Sequence, residues 1–183
     1  MSLVSFNDFF SNNIDGHVCF IQFSDKEEGA PPAGSYRIRE LFCANEACNC
    51  RIAHIVFISV KDGKEYGTVR FGWEDKAFYD EYFGSADHGF PGPTCDPEHI
   101  NSYTNCFLSK FKELYGKDEA YIAMLKNYYH MVREEVKERD LPRNVVSQTY
   151  RRPAGIPKRN DPCPCGSGKK HKKCCLNQEA TCS

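Results

Sequence analysis

The chain carries Ile-Ala-His-Ile-Val-Phe-Ile-Ser-Val at residues 52–60, a segment that is nearly all apolar and rich in β-branched residues. Such a run is typical of a strand in the centre of a sheet, buried on both faces. Asp62-Gly63 follows it and is a hairpin-turn signal. The next strand is predicted over residues 65–73 and places its large apolar residues on one face, namely Val69, Phe71 and Trp73. These features predict an antiparallel sheet.

Two further strands are predicted before this segment. Residues 18–23 form the short apolar run Val-Cys-Phe-Ile-Gln-Phe. Residues 35–43 begin by alternating apolar side chains with arginines, as expected for a half-exposed strand. After the sheet, residues 88–97 contain three prolines and two glycines, and this composition predicts a loop.

Two helices are predicted next, over residues 104–115 and 118–139, because both segments place apolar residues at helical spacing. Gly116 is expected to end the first helix, and Asp118 to cap the second. The stripe of the first comprises Phe107, Leu108, Phe111, Leu114 and Tyr115. That of the second comprises Tyr121, Met124, Leu125, Tyr128, Tyr129, Val132 and Val136. The predicted fold class is α+β: an antiparallel sheet with a C-terminal helical hairpin, plus a small C-terminal module.

The chain divides into three predicted units. Residues 1–141 form the α+β body, residues 142–158 a linker with three prolines and no hydrophobic period, and residues 159–177 a small C-terminal module. Residues 151–183 carry eight Lys/Arg and two acids, a net charge of +6, so the rest of the chain carries −7 of the total of −1. An acidic body and a basic tail indicate units with different surfaces.

The cysteine content points to metal rather than to disulfides. The chain has eleven cysteines, an odd number, and residues 1–16 lack the basic region and apolar stretch of a secretory signal. The sequence also shows no apolar run of transmembrane length. We therefore expect a cytoplasmic protein, in which clustered cysteines favour metal binding.

The strongest metal motif lies in the tail, which reads Arg-Asn-Asp-Pro-Cys-Pro-Cys-Gly-Ser-Gly-Lys-Lys-His-Lys-Lys-Cys-Cys at residues 159–175. So short a segment cannot bury a core, and four thiolates around Zn²⁺ would supply the folding energy instead. The predicted ligands are Cys163, Cys165, Cys174 and Cys175. The Gly-Ser-Gly turn lets the chain fold back, and four neighbouring lysines offset the negative charge of the metal–thiolate group.

This tail resembles the SEC-C motif, the zinc-binding module at the C-terminus of the SecA translocation ATPase that is also appended to many other bacterial proteins. The resemblance implies zinc binding and protein interaction. In SecA-like tails the partners are the chaperone SecB, the ribosome and anionic lipid. The last ligand, His in some members, is Cys175 here, and His171 is predicted to be a surface or packing residue. The remaining chain has no Walker A loop, so it is not SecA.

A second cluster comprises Cys43, Cys48 and Cys50, where one predicted strand ends and the next begins. We expect it to bind a second, structural zinc, since Cys48 and Cys50 repeat the C-x-C spacing in a turn. The alternative is that the three cysteines bind no metal and are buried as small apolar residues. A fourth ligand is needed, either water or a protein residue, and the sequence does not choose among the protein candidates, which are His54, Cys19, Cys95 and His99.

Residues 36–140 also resemble uncharacterised bacterial proteins with SEC-C tails, through this cluster and Gly72-Trp73-Glu74. That resemblance implies no known activity. The sequence favours a zinc-binding protein that acts as a protein-interaction adaptor, with chaperone, translocation or ribosomal components as partners. The alternative is a nucleic-acid-binding zinc protein that uses the basic tail, although the acidic body counts against it. An enzyme that activates water on a three-cysteine zinc site is third, because no arrangement of carboxylates or histidines supports it.

Overall fold

A computed structural model of the chain describes residues 3–10, 18–24, 29–85, 88–138 and 169–170. In these residues six strands form one antiparallel sheet, in the order β1-β3-β4-β5-β6, with β2 beside β3. The strands are β1 (Leu3–Ser5), β2 (Phe20–Phe23), β3 (Gly34–Cys43), β4 (Ile52–Ser59), β5 (Glu65–Gly72) and β6 (Gly92–Cys95). The helices are α1 (Phe6–Phe9), α2 (Lys76–Phe83), α3 (Thr104–Tyr115) and α4 (Glu119–Glu138). The α+β fold class is confirmed.

Strand β4 occupies the centre of the sheet, and all eight of its residues are buried. Alternate side chains point to opposite faces. One face, here called the helix face, carries Ala53, Ile55 and Phe57, which share a core with the apolar residues of α3 and α4. The opposite face, here called the second face, carries Ile52, His54, Val56 and Ile58. The predicted central strand is thus confirmed, and its two faces have different coverings.

The helical hairpin follows the prediction closely. Helix α3 spans Thr104–Tyr115, and Gly116 follows as its C-cap. Asp118 caps α4, because its Oδ1 accepts hydrogen bonds from the backbone N–H groups of Ala120 at 2.9 Å and Tyr121 at 3.1 Å. The Tyr121 ring packs against Phe111 of α3 with ring centres 5.7 Å apart. One residue of the predicted stripes differs, since Leu114 is exposed.

The prediction of a loop over residues 88–97 is wrong in part. Residues Gly92–Cys95 form β6, which pairs with β5 and places Pro93 opposite Phe71. The sheet order puts β6 at an edge, where a proline that cannot donate a hydrogen bond is tolerated. The short elements β1, α1 and α2 were not predicted either. Asp75 caps α2 by accepting from the Phe78 N–H at 2.8 Å.

Some predictions fall on parts of the chain that the structure does not describe. The linker at residues 142–158 lies outside the described residues, and so does the C-terminal module apart from Lys169 and Lys170. Among the helices that are described, none is both long and apolar enough to cross a membrane.

The contact between Gly67 and α3 gives a test of the fold. A Cβ on Gly67 would lie 2.8 Å from Cδ2 of Phe107, whose ring stacks on Phe57 with centres 4.4 Å apart. We expect Gly67→Ala to lower the free energy of unfolding by about 1–3 kcal/mol, because overpacking forces these buried rings to shift. Urea denaturation of the full chain measures the loss.

A double-mutant cycle tests whether the contact with Phe107 causes the loss of stability in Gly67→Ala. Phe107→Leu should destabilise the Gly67→Ala protein less than the parent, because the smaller side chain relieves the clash. Strictly additive losses would show that the two positions do not interact.

Candidate metal centre

The structure brings together the three cysteines of the N-terminal cluster. Cys43 ends β3, and Cys48 and Cys50 lie in the segment that connects β3 to β4. Their three sulfur atoms lie within 4.8 Å of one another. Cys43 and Cys50 are buried, whereas Cys48 is partly exposed. The cluster therefore lies at one end of β3 and β4, and Cys48 is on its solvent-exposed side.

A tight turn after β3 produces this convergence. The backbone N–H of Cys48 donates to the carbonyl of Asn45 at 3.0 Å, and the N–H of Ala47 donates to the Asn45 side chain at 3.0 Å. Such turns at asparagine reverse the chain within a few residues. Cys48 and Cys50 are thereby brought back towards Cys43.

Arg51, the neighbour of Cys50 in the chain, has an unusual backbone conformation. Its φ of 49° lies in the left-handed region, which is unusual for a residue other than glycine. The surroundings hold it there: Arg51 pairs with Glu74 at 3.2 Å, and its guanidinium lies over the Phe78 ring at 4.8 Å. The hydroxyl of Tyr79 donates to the Arg51 carbonyl at 2.8 Å. Helix α2 and the segment before it therefore fix the backbone beside Cys50.

Helix α4 holds the turn from the other side of the sheet. The guanidinium of Arg133 donates to the backbone carbonyls of Asn45 and Glu46. This contact ties the cysteine-bearing turn to the helical hairpin, and it places a positive charge where thiolates would carry negative charge. Arg133 is distant in sequence from the cluster, so no spacing pattern could have identified it.

An apolar wall covers the buried part of the cluster. Cys43 and Cys50 share a small core with Ile52, Tyr79 and Phe90 on the second face. Gly72 permits this packing, because a Cβ there would lie 2.6 Å from the Tyr79 hydroxyl and 2.7 Å from the Phe90 ring. The wall excludes water from one side of the sulfurs, which strengthens electrostatic interactions within the site.

The protonation of the cluster favours a thiolate at Cys43. A hydrogen bond from the Cys50 thiol lowers the pKa of Cys43 below its ordinary value, against the effect of burial. The Asn45 backbone, Cys48 and the charge of Arg133 lower it further. The same hydrogen bond, together with burial, raises the pKa of Cys50. A negative charge shared among neighbouring thiols is what a metal cation would attract.

The donor set fits zinc. Four sulfurs at about 2.3 Å from a tetrahedral Zn²⁺ lie about 3.8 Å apart, so sulfurs within 4.8 Å reach this spacing by small side-chain rotations. Zinc bound here would act as a structural cross-link between the end of β3 and the start of β4. Three thiolates leave one coordination position for a further ligand.

None of the four candidates for a fourth ligand belongs to this sulfur group among the described residues. His54 and His99 both hydrogen-bond to Asp96, at 3.1 and 2.7 Å. The structure instead places the Tyr82 hydroxyl 3.3 Å from the sulfur of Cys48. Tyr82 lies on α2, which the sequence did not predict, so nothing in the sequence connected it with the cysteines.

The tail cysteines Cys163, Cys165, Cys174 and Cys175 lie outside the described residues, and so does His171. What is known of this segment comes from similarity to other proteins. Residues 159–177 match the SEC-C motif. No solved structure has significant similarity to the chain.

The curated relatives match short stretches of the chain. The protein translocase subunit SecA of Helicobacter pylori (strain Shi470) is 55% identical over 42 residues, which are 23% of this chain and 4% of that protein. SecA of Sulfurovum sp. (strain NBC37-1) is 90% identical over 19 residues, 10% of this chain and 2% of its own length. The uncharacterised protein YecA of Escherichia coli (strain K12) is 81% identical over 21 residues, 12% of this chain and 10% of YecA.

The chain therefore spans only a small fraction of the relatives that it matches. The similarity to SecA concerns the C-terminal region of SecA. The α+β body that holds the second cysteine cluster lies N-terminal to the matched segment. This protein carries a SEC-C motif, a metal-binding motif, at residues 159–177.

Proposed function

We propose that the protein is a zinc-dependent adaptor for protein–protein interaction. The observation that carries the proposal is the match of residues 159–177 to the SEC-C motif. In this proposal the tail binds the partner, and Cys163, Cys165, Cys174 and Cys175 hold the zinc that folds it. The α+β body presents the tail, and Cys43, Cys48 and Cys50 hold a second zinc that stabilises the body.

The two zinc ions have different roles in this proposal. Between Cys163 and Cys175 the tail has no apolar side chain other than cysteine and one proline, so metal binding must supply its folding energy. The body has a large apolar core, and its zinc adds a cross-link at one end of the sheet. Loss of metal should therefore unfold the tail but only weaken the body.

The chain has three units in this proposal. We assign residues 1–141 to the body, residues 142–158 to a linker and residues 159–177 to the zinc module. A proline-containing linker without hydrophobic period lets the module reach a partner at some distance from the body. We place this activity in the cytoplasm, where cysteines stay reduced and available for zinc.

The partner is proposed from the relatives. SecA is a protein translocase subunit by name, and its C-terminal region is the part that resembles this tail. The partner that we propose is a chaperone, translocation or ribosomal component, as the resemblance of the tail to the SEC-C motif implies. The competing hypothesis is that the tail, with its net charge of +6, binds nucleic acid. The rest of the chain carries a net charge of −7, which opposes its close approach to phosphate groups.

Metal analysis of full-length variants tests the two sites separately. The parent should contain about two zinc ions per chain, and Cys48→Ser and Cys165→Ser about one each, since each variant destroys one ligand set. Cys182→Ser, which lies outside both sets, is the matched control and should keep two. Elemental analysis by mass spectrometry gives the ratio.

Calorimetry of the same variants tests which of the two zinc sites stabilises the body. Cys48→Ser should lower the melting temperature of the body, and Cys165→Ser should leave it unchanged. If the parent holds only about one zinc ion, and Cys48→Ser keeps it together with the parent melting temperature, Cys43, Cys48 and Cys50 are ordinary buried cysteines.

Binding experiments test the adaptor role. Immobilised full-length protein should retain purified SecB or ribosomes. Cys165→Ser should abolish this retention, because the tail no longer folds, whereas Cys182→Ser should not affect it.

Two results would contradict the adaptor role of the tail. Retention of both partners by Cys165→Ser would remove the tail from the interaction. Tail-dependent binding to RNA that falls steeply with added salt, without binding to either protein partner, would favour the nucleic-acid function.

A further inference from the structure

A tyrosine of helix α2 contacts the cysteine cluster. Tyr82 lies in the last turn of this helix, and its hydroxyl oxygen is 3.3 Å from the sulfur of Cys48. Tyr82 is 41% exposed and Cys48 is partly exposed, so the contact lies on the solvent side of the cluster. The apolar wall on the buried side comprises Ile52, Tyr79 and Phe90. A further protein ligand can therefore approach the sulfurs from the side of Tyr82.

The usual zinc ligands do not complete the site. In the part of the chain that the structure describes, no fourth histidine, cysteine, aspartate or glutamate joins the group of three sulfurs. Two of the sequence candidates, His54 and His99, hydrogen-bond through Nδ1 to Asp96. Tyr82 supplies an oxygen at the cluster instead, and a phenolate is an anionic oxygen donor like the carboxylates that zinc accepts.

The distance between the two atoms fits one edge of a zinc tetrahedron. Zinc binds sulfur at about 2.3 Å and anionic oxygen at about 2.0–2.2 Å, so the two kinds of ligand lie about 3.5 Å apart at the tetrahedral angle. The distance of 3.3 Å from Tyr82 to Cys48 is close to this value. The three sulfurs, which lie within 4.8 Å of one another, supply the other corners. Small side-chain rotations therefore complete the tetrahedron.

Helix α2 is anchored in a way that keeps Tyr82 beside the cysteines. The hydroxyl of Tyr79 donates to the Arg51 carbonyl at 2.8 Å. The Arg51 guanidinium lies over the Phe78 ring at 4.8 Å from its centre. The Tyr82 ring stacks on Phe78, with ring centres 6.2 Å apart and planes 9° apart. Contacts with the segment that carries Cys50 therefore orient Tyr82.

We propose that Tyr82 is the fourth ligand of a zinc ion at Cys43, Cys48 and Cys50. This inference rests on the proposed second zinc site. When the ion binds, a bond forms between zinc and the phenol oxygen, and the phenol proton leaves to solvent, to which Tyr82 is exposed. The ion then joins α2 to the end of β3 and to the segment before β4. Four protein ligands make a closed site, as is usual for structural zinc.

The absorption of tyrosinate tests this coordination. The sample is the full chain with the four tail cysteines replaced by serine, which leaves the body site; they are Cys163, Cys165, Cys174 and Cys175. Zinc added at neutral pH after chelator treatment should produce the ultraviolet band of tyrosinate in proportion to bound zinc, up to one tyrosinate per chain. An ordinary tyrosine has a pKa of about 10, so the band should be absent before zinc is added. Bound zinc without this band would overturn the inference, because water or another group would then be the fourth ligand.

Variants separate ligation from packing. Tyr82→Phe keeps the ring and removes the oxygen, so it should abolish the band and weaken zinc binding by at least about tenfold in competition with a chelator. Without zinc it should melt at the parent temperature, because Tyr82 is exposed and surface substitutions change stability little. Tyr66→Phe is the matched control, since the Tyr66 hydroxyl donates to Asp62 at the opposite end of β4, at 3.1 Å. It should keep both the band and the affinity.

The possible outcomes distinguish this inference from the proposed zinc site. If the chain with four serines binds no zinc, the proposed site is wrong, and Tyr82 has no ion to bind. If it binds zinc, and Tyr82→Phe binds zinc with the same affinity, the site stands and only the role of Tyr82 is wrong.

Discussion

Strand β4 is buried on both faces, and this burial determines where the other elements of the fold pack. All eight residues of Ile52–Ser59 are buried, so something must cover each face. The helical hairpin covers one face with a core built around Phe57 and Phe107. On the other face, α2 and Phe90 cover the end next to Cys50, and a cavity lined by Leu41, His54 and Arg70 lies over the adjacent row. The surroundings of the cysteine cluster are therefore a consequence of how the second face is covered.

The cysteine cluster and the cavity are neighbours on this face, and they share structural supports. Phe90 packs against the cysteine core, and its ring also lies under the guanidinium of Arg70. Tyr79 holds the Arg51 backbone beside Cys50 and packs against Phe90 with ring centres 4.8 Å apart. A metal ion that fixes Cys43 and Cys50 would thus also fix the side chains that orient Arg70.

Much of the fold was predictable, because long elements with a regular period dominate it. Strands β3, β4 and β5 and the hairpin of α3 and α4 follow the expected ranges, since burial on a sheet or helix face imposes its spacing on the sequence. Strand β6 is hidden in the sequence because its proline masks a short edge strand. Helix α2 is hidden because it has only eight residues and buries only Tyr79, so it shows no helical stripe of core positions. The three clustered cysteines were predictable from C-x-C spacing. Arg133, Tyr82 and the cavity were not, because only the tertiary fold brings these distant residues together.

Cys43, Cys48 and Cys50 are proposed to bind zinc at the end of the sheet. X-ray absorption at the zinc edge can detect this ion in full-length protein in which Cys163, Cys165, Cys174 and Cys175 are all replaced by serine. We expect zinc to remain bound in this variant, with about three sulfur neighbours at about 2.3 Å. A folded variant that holds no zinc, or zinc surrounded only by nitrogen and oxygen at about 2.0–2.1 Å, would contradict it.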